Sequence, residues 1–303
     1  MFYQFIGNKL KEVAKDGIEP DQSLLAFVEP EEAGEILSLF SLPARPMEIA
    51  LSGKTMVHES HEGFDFACLR KLGFDLSEAS GQVCLYHSRN LLLFTGRGLE
   101  EVRDDLLRHM EGKEGGLNLE RLLIRFLEGF TSRSPTELED IEDEIEDLEM
   151  RVLSDKGGDV IHELLALRKE LTSYKHHYEQ LLFVLDMFAE DEGDLVSVKG
   201  GRALQLLSRR TSRLHQSVLD LQSYVTQVRE SYQAEMDIRL NRIMKLFTAV
   251  TSIFLPLTLI AGWYGMNLQM PEYEWELAYP LVAIGSLVIL VLLMVYFKRN
   301  KWF

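Results

Sequence analysis

The chain has 303 residues, enough for one large domain or two ordinary ones. Its formal net charge of −16 argues against a basic nucleic-acid footprint. Its two cysteines, Cys68 and Cys84, lack CxxC spacing, which argues against a disulfide framework or a thiolate metal site.

The N-terminal stretch MFYQFIGNKLKEVAKDG lacks the apolar core of a signal peptide. Strands are predicted at SLLAFVE (23–29), MEIALSG (47–53) and FDFACLRKL (64–72). QVCLYHSRNLLLFTG (82–96) reads as a hairpin turning near Ser88 to Asn90. Helices are predicted at EPEEAGEILSLFSL, at GLEEVRDDLLRHMEG and from about Leu117. Together these describe an α+β cytosolic domain over residues 1–115. His58-Glu59-Ser60-His61-Glu62 carries metal-binding residue types, but it lacks Cys and the helical HExxH spacing, so it reads as a strand end or turn. No Ser/His/Asp arrangement, Walker loop or GxGxxG is present, and an enzyme is not expected.

Residues 116–200 read as an acidic antiparallel helical pair. Ser134 with Glu137 makes a capping box, and Pro135 suits the first helical position. Leu138, Ile141, Ile145, Leu148 and Val152 form an apolar seam, and nine acidic residues lie between Glu137 and Glu149. The second helix of the pair runs from about Val160 to Glu190. His176 and His177 fall on adjacent helix faces and cannot share an ion.

Residues 201–264 read as one stalk helix continuing into a membrane span. Between Gly201 and Gly262 there is no glycine, and the only proline is Pro256. Leu204, Leu207, Leu214, Val218, Leu221, Val225, Val228 and Tyr232 recur at 3–4 spacing, interrupted by Thr211, as in a coiled-coil seam. Two apolar runs follow, Leu246 to Trp263 and Leu277 to Phe297, about 27 and 31 Å long as helices against a hydrocarbon core of about 30 Å. No Lys or Arg occurs from Leu246 to Phe297, whereas Arg239, Arg242 and Lys245 precede the first span and Lys298, Arg299 and Lys301 follow the second. The loop at 265–276 holds Glu272, Glu274 and Glu276. The positive-inside rule then puts both termini in the cytoplasm, with the tail 298–303 inside. Trp263, Tyr264, Tyr273, Trp275 and Tyr279 gather at the outer boundary, and Tyr296 and Trp302 at the inner one.

A second row at the same spacing starts lower on the stalk: Glu230, Ala234, Asp237, Asn241, Met244, Thr248, Thr251, Leu255, Thr258 and Gly262. It is acidic or polar on the cytosolic side and small and weakly polar in the membrane. The opposite side, Leu246, Val250, Ile253, Leu257 and Ile260, suits lipid. Such a stripe serves either helix–helix packing or a pore with one helix from each subunit, and two spans need an oligomer to enclose water.

Gly265-Met266-Asn267 follows a proline-containing span. It precedes Met270-Pro271-Glu272 and a second span ending in Lys298-Arg299-Asn300-Lys301-Trp302. In this setting IFLPLTLIAGWYGMN resembles the signature of the CorA family of magnesium transport proteins, closely over the last 65 residues and as architecture over the whole chain. The resemblance implies a homopentameric funnel in a bacterial or archaeal inner membrane, with self-association and lipid as its partners. It implies that Gly265, Met266 and Asn267 form the selectivity site, with Asn267 contacting hydrated magnesium. Thr258 and Leu255 would line the pore, Met244 with Phe247 would form a hydrophobic constriction, and Asn241 a polar ring. Lys298, Arg299 and Lys301 would make a basic ring. Magnesium bound between cytosolic domains would hold the pore shut, with cobalt, nickel or zinc as further ions.

The ion's chemistry agrees. Mg²⁺ sheds water reluctantly and prefers six oxygens. A ring of amide oxygens can bind its water shell without trapping it, as a ring of carboxylates would. Glu230, Asp237, Glu272, Glu274 and Glu276 would attract cations. Without an ATP-binding motif, transport runs on the electrochemical gradient, and a dication moving inward gains about 4.6 kcal/mol per 100 mV. The competing expectations are a zinc transporter of the related ZntB type, against which Met266 argues, and a membrane-anchored signalling or structural coiled coil.

Overall fold

The structure, a computed structural model, describes the chain except residues 7–8, 53–54, 71–80, 97–98, 109–117, 133, 155–159, 191–194, 268–270, 272–274, 301 and 303. The chain divides into two compact units. The first holds all strands, α1 to α4, most of α5, α6, and α7 as far as Gln227; the second holds α7 from Val228, and α8.

The first unit is built on a seven-stranded sheet. In chain order the strands are β1 (Phe2–Ile6), β2 (Lys9–Val13), β3 (Leu24–Val28), β4 (Val57–His61), β5 (Phe64–Arg70), β6 (Gln82–Ser88) and β7 (Leu91–Gly96). Their spatial order is β2-β1-β3-β7-β6-β5-β4, with only β3 and β7 parallel. The central strands are near-continuous apolar runs because both faces of the sheet are covered. On one face Leu24, Ala26, Phe66, Cys68, Cys84, Tyr86 and Leu93 pack under α1 (Pro30–Leu39) and α2 (Arg45–Ser52). On the other, Leu25, Phe27, Ala67, Leu85, Leu92 and Phe94 meet α3 (Glu100–Arg108), α4 (Leu119–Gly129), Leu181, Val184 and Phe188 of α6 (Val160–Glu190), and Leu204 and Leu207 of α7 (Val198–Tyr264).

Met47 to Ser52 of the expected strand MEIALSG lie in helix α2, and Gly53 lies outside the described residues. A strand would put Met47 and Ile49 on one face, but Met47 and Ala50 are buried while Ile49 is 58 % exposed, which is a helical periodicity. The remaining expected strands form, FDFACLRKL as far as Arg70. β1 and β2 were not anticipated, and the strand end or turn expected at His58 to Glu62 is, as far as His61, a full strand, β4. All three depend on pairing with a neighbour, and β2 and β4 are the sheet edges. The β4–β5 turn uses Gly63 at φ +87°, where L side chains are strained.

The expected acidic pair is α5 (Ser134–Leu153) and α6. Leu138, Ile141, Ile145, Leu148 and Val152 are all buried. Tyr174 of α6 donates to Glu137 of α5 at 3.3 Å, and Tyr224 of α7 donates to Glu149 at 2.6 Å. The link between α5 and α6 (155–159) lies outside the described residues. With Tyr232 half-buried, the α7 seam is buried from Leu204 to Val228 as its spacing predicts. Thr211 belongs to it, because its hydroxyl donates to the Leu207 carbonyl at 3.0 Å and hides its polarity.

In the second unit, α7 continues through Pro256 to Tyr264, and α8 spans Ala278–Arg299. Both helices are long and apolar enough to cross a membrane. Ala249 and Ile253 of α7 are buried against Phe297 of α8, with Leu290, Leu293 and Trp302 alongside. Ile253 was expected to face lipid; instead α8 covers it, because the small Ala249 one turn away lets the returning helix approach that side of α7.

Candidate functional site: the open face of α7

The stripe is one continuous helical face. Glu230, Asp237, Asn241, Met244, Thr248, Thr251, Leu255, Thr258 and Gly262 are all exposed, and so is Phe247 beside Thr248. Ala249 and Ile253 flank Thr251 by two residues on either side, which at 100° per residue places the α8 contact about 160° from it. The polar stripe is therefore the side of the span that α8 leaves open. A shallow, open groove of about 800 Å³ runs along it, lined by Thr251, Phe254, Leu255, Thr258, Leu259, Gly262 and Met266 among others.

The hydroxyls on this face have fixed polarity. Thr248 donates to the Met244 carbonyl, Thr251 to that of Phe247 and Thr258 to that of Phe254, each at 2.8 Å. With its proton turned into the helix, each oxygen presents only lone pairs outward. The face thus offers acceptors at one-turn and two-turn intervals.

Helix α7 ends at the predicted glycine. Gly265 N donates to the Ala261 carbonyl at 2.9 Å and Met266 N to that of Trp263 at 3.3 Å, closing the last turn. A Cβ at Gly265 would lie 2.9 Å from the Ala261 oxygen, closer than side chains tolerate, so the tight exit needs glycine. Met266 and Asn267 follow directly, both exposed. Glu276 is exposed; Glu272 and Glu274 lie outside the described residues. Lys298 and Arg299 occupy the last turn of α8, where cations suit the helix dipole, and Lys301 lies outside the described residues.

The residues that sequence reasoning missed are those that orient the face. The Phe297 and Trp302 rings meet at 5.3 Å, tilted by 58°, and Trp302 N donates to the Phe297 carbonyl at 3.1 Å, which holds Trp302 beside the α7 contact. The signal available was the small Ala249 one turn before Ile253, a place where helices approach closely. His58 and His61 do not converge. His58 is buried with its ring 4.5 Å from that of Phe188, while His61 pairs with Glu59 at 3.1 Å near the surface. Among the described residues, no three His, Cys, Asp or Glu side chains are grouped to hold a metal ion.

The comparisons agree with this architecture. A family model described as CorA-like Mg2+ transporter protein matches residues 25–299. The chain is 30 % identical to the magnesium transport protein CorA of Escherichia coli K12, over 95 % of this chain and 90 % of that protein. It is 29 % identical to the cobalt/magnesium transport protein CorA of Thermotoga maritima, over 80 % of this chain and 72 % of that one. The CorA magnesium transporter structure from Methanocaldococcus jannaschii superimposes with a TM-score of 0.84 at 21 % identity, covering 100 % of this chain and 98 % of that one. With a family match running from β3 through the long helix and both membrane-length helices, the chain belongs to the CorA-like Mg2+ transporter family.

Proposed function

We propose that five copies of this chain surround a pore lined by α7, through which Mg²⁺ crosses the inner membrane down its electrochemical gradient. The observation that carries this reading is the polar stripe on the side of α7 away from α8. Back-bonding satisfies the Thr248, Thr251 and Thr258 protons but leaves their oxygens outward, and with Asn241 and Asn267 on the same row the stripe suits water or a partner helix better than lipid. The acceptor-only hydroxyls of Thr248, Thr251 and Thr258 match the outward-pointing hydrogens of a hydrated dication. They offer an anion nothing. Asn267 provides the amide ring at the outer mouth, with Gly265 and Met266 shaping it. Glu272, Glu274 and Glu276 gather cations outside, and Asp237 and Glu230 receive them inside. Asn241 forms a polar ring, and Met244 with Phe247 forms a dry barrier that closes when intracellular Mg²⁺ binds the cytosolic assembly. Both termini are cytoplasmic, and Lys298, Arg299 and Lys301 lie at the inner surface. The printed names of the relatives support Mg²⁺ as cargo and Co²⁺ as a second substrate, with Ni²⁺ and Zn²⁺ poorer ones.

The test is cation uptake into proteoliposomes under an inside-negative potential, comparing Mg²⁺ with Zn²⁺ and wild type with Asn267→Ala. Mg²⁺ uptake that the substitution abolishes supports the reading. Uptake of Zn²⁺ without Mg²⁺ replaces it with zinc transport, and no uptake of either leaves a membrane-anchored coiled coil.

A further inference from the structure

We infer that Cys68 and Cys84 form a modification site for small-molecule disulfides, shielded beneath helix α2 and reached when α2 lifts from the sheet. The two residues lie directly opposite each other on antiparallel β5 and β6. Both are free thiols and fully buried, and Cys84 Sγ lies 2.6 Å from Cys68 Sγ. Directly opposed antiparallel residues have Cα atoms about 4.5–5.5 Å apart, inside the range of about 4.4–6.8 Å that disulfides occupy. The backbone spacing at this pair therefore lies within the range that disulfides occupy.

What controls the reaction is access. The thiols lie in the cluster that contains Met47 and Ala50 of α2, and α2 packs on both β5 and β6. Two side chains of β6 fasten it. The Tyr86 hydroxyl accepts from Met47 N at 3.3 Å and donates to the Pro43 carbonyl at 3.1 Å; Gln82 Nε2 donates to the Ala50 carbonyl at 3.2 Å. α2 has eight residues, too few to be stable unless docked. Local opening of such an element costs less than global unfolding.

The resting pair is protected twice. Only a thiolate attacks a disulfide. The neighbouring Cys68 thiol and burial both push the Cys84 thiol far above its ordinary range. Once α2 lifts, water reaches the pair and one thiol ionises. Its sulfur attacks the small disulfide, forming a mixed disulfide and expelling one small thiol. The second protein thiolate attacks the mixed disulfide and expels the other. The balance is two protein thiols and one small disulfide in, one protein disulfide and two small thiols out.

The experiment uses the full-length protein in detergent with excess oxidised glutathione, followed by unfolding, alkylation and intact mass. The expected product is a chain lighter by two hydrogens with neither cysteine alkylated. Tyr86→Phe removes both hydroxyl bonds and should speed closure about 30-fold, the equivalent of ~1 kcal/mol for each hydrogen bond. Gln82→Met tests the same fastening from the other end of α2; it removes one bond to the helix and should accelerate closure about fivefold. In urea-unfolded chains all variants should react at one rate. Thiols that remain alkylatable after prolonged exposure would overturn the proposal. So would equal rates in the folded wild type and both variants, or disulfides forming only between chains.

Discussion

Glu120 of α4 holds the start of α7 through Ser197. One carboxylate oxygen accepts from Ser197 N at 2.8 Å and the other from Ser197 Oγ at 2.9 Å, while Ser197 Oγ in turn accepts from Gly200 N at 3.1 Å. The first turn of α7 has no acidic residue of its own, so Glu120 supplies the negative charge favoured at a helix N-terminus. Glu120→Ala should cost about 1–2 kcal/mol. That is a fall of roughly 2–4 °C in Tm per kcal/mol for a unit of this size, read by thermal unfolding in detergent. Gly200→Ala should cost a similar amount, because its Cβ would meet the Glu120 carboxylate and lie 2.8 Å from Val196 Cγ1. The double variant should cost less than the two together, since both act on one carboxylate.

Gly265→Ala tests the helix exit. The new Cβ meets the Ala261 carbonyl and must push the turn outward, displacing Asn267. In liposomes Mg²⁺ uptake should fall about tenfold, the rate equivalent of ~1.4 kcal/mol, while the melting temperature stays close to wild type. Wild-type uptake by the alanine variant would mean that the exit geometry does not position the amide.

Much of this was legible in the sequence, for physical reasons. The spans and the α7 seam announce themselves because long apolar runs and 3–4 spacing have few alternative explanations. Gly265 was legible because a helix must end where the chain reverses. The α2 segment misled because it is short and Met47, Ile49 and Leu51 alternate as in a strand, although Met, Glu, Ala and Leu favour the helix that docks on β5 and β6. The edge strand β4 carries His58, Glu59 and His61, and its polar outer residues hide the alternation. The orientation of the stripe was not legible, since it follows from which face α8 takes, and that depends on Ala249, Ile253 and Phe297 meeting in space.

Phe247→Gly should open the proposed barrier. Phe247 and Met244 are 65 % and 63 % exposed in the single chain, large apolar side chains free to converge around an axis. Removing the ring should leave a wetted constriction. Liposomes should then leak Mg²⁺ at internal concentrations that silence the wild type, with the glycine variant still assembling. A closed-state flux unchanged by the substitution would reject Phe247 as the barrier.

Two buried imidazoles should make the first unit acid-sensitive. His58 is packed against Phe188; burial, and secondarily His61, lowers its pKa to about 4. His177 lies between Phe130 and Tyr178, and burial lowers its pKa to about 4. Both are neutral in the folded chain and would protonate near pH 6.5 once unfolded. The unfolded state therefore binds more protons, and stability falls as pH drops from about 6.5 towards 4. Each imidazole should contribute about 2 kcal/mol of loss at pH 5 and about 3 kcal/mol at saturation. His177→Leu removes one titrating group at nearly constant volume. Its stability should change less than that of wild type between pH 7.5 and pH 5, measured as the denaturant midpoint of the full chain in detergent. Carboxylates titrate equally in both proteins and cancel in the comparison. If the two proteins lose the same stability on acidification, the His177 imidazole is not held neutral by its apolar surroundings.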